Sequence, residues 1–108
     1  MKVSELCGPK LDYWVACAEG LNHGHAAIEA LKYTPSVAWA QGGPIVDRER
    51  ISVVEVENRW WAGYKPATES MFGFGFDGPN QFGETYLVAA MRAFVASKYG
   101  EEIPKDSE

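Results

Sequence analysis

Apolar residues recur with helical spacing near both ends of the chain, and they follow strand-like patterns between the ends. The first helical pattern covers residues 9–19 and places Leu11 and Val15 on one stripe. Pro9 suits the first turn of a helix, and Gly20 suits the position just past its end. The sequence therefore predicts an N-terminal amphipathic helix.

A longer helical pattern covers residues 84–99. Its opposite side carries small residues, mostly alanine, rather than charged ones. A sheet or a second copy of the chain could approach such a side closely, so we expect this helix to lie at a packed surface. The large apolar residues that follow the helical spacing are Leu87, Val88, Met91, Phe94 and Val95.

The middle of the chain is rich in β-branched and aromatic residues, which favour strands. Clusters of Gly, Pro, Asn and Asp between the apolar runs are typical of turns and loops. Alternation in the third run would place Phe72, Phe74 and Phe76 on one face. The predicted strands are 51–56, 60–65 and 71–76, with a turn at Asn58-Arg59 and a loop over 77–84.

Two segments between the first helix and the strands are less regular. Residues 22–32 contain helix-forming residues but no decisive pattern. Residues 36–49 predict a short helix with Ser36 as its N-cap, broken or restarted at Pro44. Together these elements predict an α+β fold, in which two helices pack on a three-stranded antiparallel sheet.

The predicted organisation is one domain over residues 1–100, followed by a flexible acidic tail over 101–108. A chain of 108 residues has the length of a single domain. The tail is highly charged, contains Pro104 and follows Gly100, which is suited to ending a helix.

The segment WAQGGP is the best candidate for a binding site. Glycines let a ligand approach the backbone, and a tryptophan can stack on a ring. The preferred alternative is a structural turn that buries the tryptophan in the core. The segment lacks the GK[ST] ending of a phosphate-binding P-loop. Its candidate ligand-binding residues are Trp39, Gln41, Gly42, Gly43 and Pro44.

Trp60 and Trp61 are adjacent on a predicted strand, so their rings should point to opposite faces of the sheet. We expect one ring in the core and the other in an interface, most simply a homodimer contact. Under the ligand hypothesis, the exposed member of the pair joins Trp39 in the pocket.

Charge and hydropathy exclude several classes of function. The net charge of −5 disfavours nucleic-acid binding, and the only local basic cluster is Arg48 with Arg50. The chain has no secretory signal and no apolar run long enough to cross a membrane. Cys7 and Cys17 are therefore expected to be reduced thiols in a cytoplasm.

No catalytic constellation is evident in the sequence. Glu55 and Glu57 would share one face of a strand, but solvent-facing carboxylates are far commoner than an acid–base pair. His23, His25 and Cys17 are too few for a convincing metal site. The sequence predicts neither a metal nor a cofactor, and it favours a protein that is not an enzyme.

The segments WAQGGPIVDRE, LVAAMRAFVASKYGEE and MKVSELCGPKLDYWVACAEG resemble the phage NinX family of small tailed-phage and prophage proteins. This family has no established function, so the resemblance implies a phage gene and a location in the cytoplasm of an infected or lysogenic bacterium. The sequence departs from the family pattern at Cys7, where Thr is common. It also departs at residues 36–38, where Ser-Thr-Asp is common, and at residues 84–86, where the family has Pro-Thr-Pro.

These observations favour a phage accessory protein that acts by binding a host or phage protein. The alternative is a protein that binds a small, nucleotide-like molecule near the WAQGGP segment. An exposed apolar patch would favour the first function, and a concave pocket with converging polar groups would favour the second.

Overall fold

A computed structural model describes residues 1–21, 24, 32–66 and 76–104. The described chain has an α+β fold, as predicted, with a three-stranded antiparallel sheet. A short 3-10 helix, Val3–Glu5, precedes the main elements. These are α1 (Gly8–Ala18), α2 (Trp39–Glu49), β1 (Ser52–Val56), β2 (Arg59–Pro66), β3 (Phe76–Gly83) and α3 (Tyr86–Tyr99).

Helix α1 confirms the predicted N-terminal helix. Pro9 lies in its first turn, and Gly20 follows its end with a φ of +108°. The helix buries Leu11, Trp14 and Val15 in the core. The segment predicted with an uncertain structure, 22–32, lies almost entirely outside the described residues.

Helix α2 differs from the predicted broken helix over 36–49. It is continuous from Trp39 to Glu49, with Pro44 inside it, and its N-cap is Ala38 rather than Ser36. A proline normally disfavours the helical conformation of the preceding residue through a clash with that residue's β-carbon. Gly43 has no β-carbon, so the helix can pass through Pro44 without this clash.

Strands β1 and β2 form a hairpin in which Val56 pairs with Arg59. The turn residues are Glu57 and Asn58, one position earlier than predicted, with φ values of 51° and 68°. Positive φ at both central residues is the property of a type I′ turn, which matches the twist of paired strands.

Strand β3 corrects the predicted third strand. The predicted strand 71–76 lies outside the described residues except for Phe76, and the described strand continues through the segment predicted to be a loop. Pairing is regular at Asn80 with Gly63, but the register shifts before Asp77 pairs with Lys65. Edge strands with such bulges tolerate glycine and proline, which explains why turn-forming residues stand in this strand.

Helix α3 confirms the predicted C-terminal helix and supplies much of the core. The Thr85 side chain caps it by accepting a 3.1 Å hydrogen bond from the Val88 N–H. Its alanine side is buried against the sheet of the same chain. A β-carbon on Gly83 would lie 2.5 Å from the backbone nitrogen of Ala89, so this side cannot be the dimer contact that the small residues suggested.

The two ends of the described chain pair with each other. Lys2 and Glu102 form an isolated antiparallel bridge, and Ile103 is buried with its N–H 3.2 Å from the Met1 carbonyl. The first residues of the predicted tail therefore pack against the N-terminal segment. Residues 105–108 lie outside the described residues.

Candidate functional site

The WAQGGP segment forms the first half of α2 and not a turn. Trp39 begins this helix with 58% of its side chain exposed, so the preferred interpretation of a turn that buries Trp39 is wrong. The structure instead places a large aromatic ring at the surface, on a helix packed against the core.

The two glycines allow close packing within and around this helix. A β-carbon on Gly42 would overlap the carbonyl oxygen of Pro35 and would lie 2.9 Å from Leu87 Cδ2. A β-carbon on Gly43 would lie 2.8 Å from Cε2 of the Trp39 ring. Gly42 therefore lets the preceding loop and α3 approach α2, and Gly43 leaves space beneath Trp39.

Gln41, another candidate ligand residue, supports the loop before α2. Its Oε1 accepts a 2.6 Å hydrogen bond from the Thr34 N–H and lies 3.3 Å from Thr34 Oγ1. Pro44 is exposed on the outer side of the helix. Of the neighbours that were expected to form a pocket with Trp39, only Gly43 is thus shown beside its ring.

Tyr86 brings Trp39 and Trp60 together. Its ring makes edge contacts with both indoles, at centroid distances of 5.4 Å and 5.5 Å. Val37, two residues before the start of α2, is 72% exposed. We call Val37, Trp39, Trp60 and Tyr86 the aromatic surface. Sequence reasoning missed Tyr86, because a tyrosine in the first turn of a helix carries no signal for what it contacts.

Trp61 points to the opposite face of the sheet from Trp60, as the alternation predicted. It stacks on Phe82 at 5.7 Å with an interplanar angle of 4°, and its Nε1 donates a 2.8 Å hydrogen bond to Asn80 Oδ1. Trp61 is therefore not part of the aromatic surface, although both tryptophans were candidates for one pocket.

A depression of about 330 Å³ lies beside the aromatic surface. Its described lining consists of Ser36, Val37, Thr85, Tyr86 and Leu87. Thr85 Oγ1 caps α3, and the Ser36 N–H donates to the Asp12 carboxylate at 2.9 Å, whereas the buried Ser36 Oγ has no hydrogen-bond partner among the described residues. No charged side chain is among these lining residues, so the depression is suited to an apolar group rather than to a phosphate.

The sequence of the chain also matches a known protein family. The chain matches the family described as Bacteriophage P22, NinX over residues 2–98, which is most of its length. The chain belongs to the phage NinX family. Among curated proteins, none matches it in sequence at a significant level.

Several titratable groups of this NinX-family protein join different elements of its fold. Burial raises the pKa of the Asp12 carboxyl, and the Ser36 N–H hydrogen bond opposes that shift. Burial also raises the pKa of Tyr64 to about 12. The Tyr64 hydroxyl donates to Glu49 Oε1 at 3.1 Å, which joins β2 to α2. Arg48 pairs with Glu19 and so joins α2 to the end of α1.

The described residues of the NinX-family chain contain no group of three or more His, Cys, Asp or Glu side chains that could hold a metal ion. His23 and His25 lie outside the described residues. Glu57 occupies the hairpin turn, so it does not share a strand face with Glu55 as an acid–base pair would require. In the described part of the chain, no helix has the length and hydropathy of a membrane span.

Proposed function

We propose that this NinX-family protein is a non-enzymatic phage accessory protein that binds a host or phage protein through its aromatic surface. The observation that carries the proposal is the exposure of Trp39, at 58% of its side chain, on a helix fixed in the fold. Tryptophan and tyrosine are enriched among the residues that dominate binding energy in protein interfaces.

The rigidity of the aromatic surface supports this role. The Trp39 ring lies over Gly43 and against Tyr86, so its orientation is largely set before binding. Pre-organised side chains lose less conformational entropy when a partner docks. The adjoining depression, about 330 Å³ in volume, can receive one apolar side chain of the partner.

Charge near the surface indicates the chemistry of the partner. Glu55 is exposed and pairs in register with Trp60, so both side chains lie on the same face of the sheet. The chain carries a net charge of −5. A segment that offers an apolar side chain beside a lysine or arginine would therefore complement this surface, and a cation could also contact the indole face.

A comparison of two serine variants tests the proposal. Trp39→Ser removes the exposed indole, and Val56→Ser is the control, because Val56 is also exposed but lies at the hairpin end of β1. Each protein is immobilised and used to capture proteins from phage-infected bacterial cells. A protein retained by wild type and Val56→Ser, but lost with Trp39→Ser, supports the proposal. Equal retention by all three proteins contradicts it.

The captured protein is then purified and its affinity is measured by calorimetry. We expect Trp39→Ser to weaken binding at least about 30-fold, the loss of a dominant interface residue worth about 2 kcal/mol. We also expect Glu55→Gln to reduce the salt dependence of binding with a smaller loss of affinity. An unchanged affinity in Trp39→Ser would refute the surface assignment.

The cytoplasm of the infected or lysogenic host and a homodimeric state belong to the same proposal. The alanine side of α3 is packed within the chain, so we assign the dimer contact to the free edge of β1, one of the two edge strands of the sheet. Sedimentation velocity checks this: Glu55→Pro should convert a dimer to monomers, because the Glu55 N–H points away from β2 and toward the free edge. A wild-type protein that is monomeric at high concentration would exclude the dimer without affecting the partner surface.

A further inference from the structure

A larger depression, of about 600 Å³, runs along the outer edge of β3. It shares none of its described lining residues with the aromatic surface. Two arginines, Arg59 and Arg92, line it from different elements, together with Gln81 and Glu84. This depression therefore contains charged side chains, whereas none lines the depression beside Trp39.

Arg92 is held in place by backbone groups. Its Nε donates a 2.8 Å hydrogen bond to the Leu6 carbonyl, and its Nη1 donates a 2.7 Å bond to the Phe82 carbonyl. A guanidinium has five N–H donors, so this anchoring leaves others available to a ligand. The Arg92 guanidinium is therefore fixed within the depression, and it still has N–H donors that can bind a ligand.

Arg59 lies over an aromatic ring and has free donors. Its Cζ is 4.2 Å from the centroid of Phe82, whose ring also stacks against Trp61. Within the described part of the chain, Arg59 makes no hydrogen bond and no ion pair. The contact with Phe82 holds the guanidinium of Arg59 beside the depression, and its N–H donors can bind a carboxylate.

Gln81 supplies an unused acceptor. Its side chain is 8% exposed, and its Oε1 has no hydrogen-bond partner among the described residues. A buried amide oxygen without a partner is costly, so such groups call for an explanation. A ligand that donates a hydrogen bond to this amide would provide one.

We propose that this depression binds a small molecule that carries one carboxylate and a neighbouring hydrogen-bond donor, as a hydroxy acid or an amino acid does. The guanidinium of Arg92 receives the carboxylate, the amide of Gln81 accepts from the donor, and Arg59 adds positive charge from the other face of β3. Two arginines against one glutamate match a single negative charge, and the Glu84 carboxylate repels a dianion.

The test uses the full-length chain labelled with ¹⁵N and three probes at constant ionic strength: acetate, glycolate and inorganic phosphate. The Arg59 and Arg92 Nε–H signals and the Gln81 side-chain amide signals report on the site. We expect saturable shifts at lower concentrations of glycolate than of acetate, and the weakest response to phosphate. No saturable shift, or equal shifts with all three anions, would overturn the proposal.

Variants test the carboxylate-binding residues and the amide of Gln81 separately. Arg59→Gln should weaken glycolate binding about threefold, because it removes one of the two positive charges that line the depression. Arg50→Gln is the matched control, an exposed arginine outside the depression, and should bind as wild type does. Gln81→Met should remove the preference for glycolate over acetate while acetate binding persists. Glu84→Gln should strengthen the response to phosphate. A Gln81→Met variant that keeps the preference would refute the donor assignment.

Discussion

Gly42 of α2 packs directly against the backbone carbonyl of Pro35, so closely that a β-carbon on Gly42 would overlap the oxygen. The neighbouring glycine, Gly43, faces only the ring of Trp39, which is 58% exposed. The Gly-Gly pair therefore serves two purposes: one residue joins α2 to the rest of the fold, and the other seats an exposed indole.

Alanine substitutions at the two glycines should have different effects. Gly42→Ala must displace backbone, so we expect it to lower the free energy of unfolding by about 1–3 kcal/mol. Gly43→Ala gains about 1 kcal/mol of helix propensity and displaces a surface ring, but it also introduces the β-carbon clash with Pro44, so we expect a smaller loss of about 1 kcal/mol. Chemical denaturation measures both. Equal losses would show that the Trp39 ring is as rigidly held as the Pro35 backbone.

The buried carboxyl of Asp12 should make stability depend on pH. Its pKa is raised above the ordinary value of 3.8, mainly by burial, so the folded state binds this proton more tightly than the unfolded state does. Stability from this group is therefore present at low pH and is lost as pH rises from about 3.8 through the raised native pKa. Asp12→Asn should flatten this part of the curve of unfolding free energy against pH. An unchanged curve would contradict the assignment.

Arg50 ends α2 in the left-handed conformation, with a φ of 58°. The Ile51 N–H reaches back 3.0 Å to the Val46 carbonyl, the bond of a helix-terminating motif that normally uses glycine. Arg50→Gly should raise the free energy of unfolding by about 0.5–1 kcal/mol, because it removes the strain of a β-carbon there. Arg50→Ala is the control for loss of the side chain alone, and it should show no such gain.

The two terminal helices and the first two strands could be predicted from local sequence patterns, but strand β3 could not. The spacing of Leu11 and Val15 and the apolar stripe of α3 specify helices, because burial of one face requires that spacing. Strand β3 escaped prediction because Pro79 and its neighbours favour turns locally, while pairing with β2 and a bulge override this preference.

The candidate site was predicted only in part. Trp39 and Trp60 could be selected as unusual residues, since each large aromatic ring needs either burial or a partner surface. Their contact through Tyr86 joins three elements distant in sequence, and no local pattern encodes it. The exposure of Trp39 depends on the direction in which α2 packs, which is a tertiary property.

Arg92 ties the N-terminal segment to the sheet, through the carbonyls of Leu6 and Phe82. Arg92→Met should leave both acceptors unpaired and lower the free energy of unfolding by roughly 2–3 kcal/mol. Arg92→Lys retains the charge but not the fork of donors, so it should fall between wild type and Arg92→Met. Thermal and urea denaturation measure the series. If Arg92→Met is as stable as wild type, these hydrogen bonds are not holding the two segments together.

The variant Gln81→Met should also change the stability of the fold, separately from its effect on ligand binding. Replacing the unpartnered amide oxygen by the apolar side chain of Gln81→Met should raise the free energy of unfolding by about 1 kcal/mol or more, since it removes a buried acceptor that has no partner among the described residues. Asn80→Met is a useful contrast, because the Asn80 side chain accepts a hydrogen bond from Trp61. A destabilised Gln81→Met would mean that the amide has a structural partner.

The unequal exposure of the tryptophans gives the protein an intrinsic fluorescent reporter. Trp14 is 2% exposed and Trp39 is 58% exposed, so an aqueous quencher should reach the second indole long before the first. A partner that covers Trp39 should shield it from the quencher and shift its emission to shorter wavelength. Binding at the aromatic surface can then be followed by intrinsic tryptophan fluorescence in the unlabelled protein.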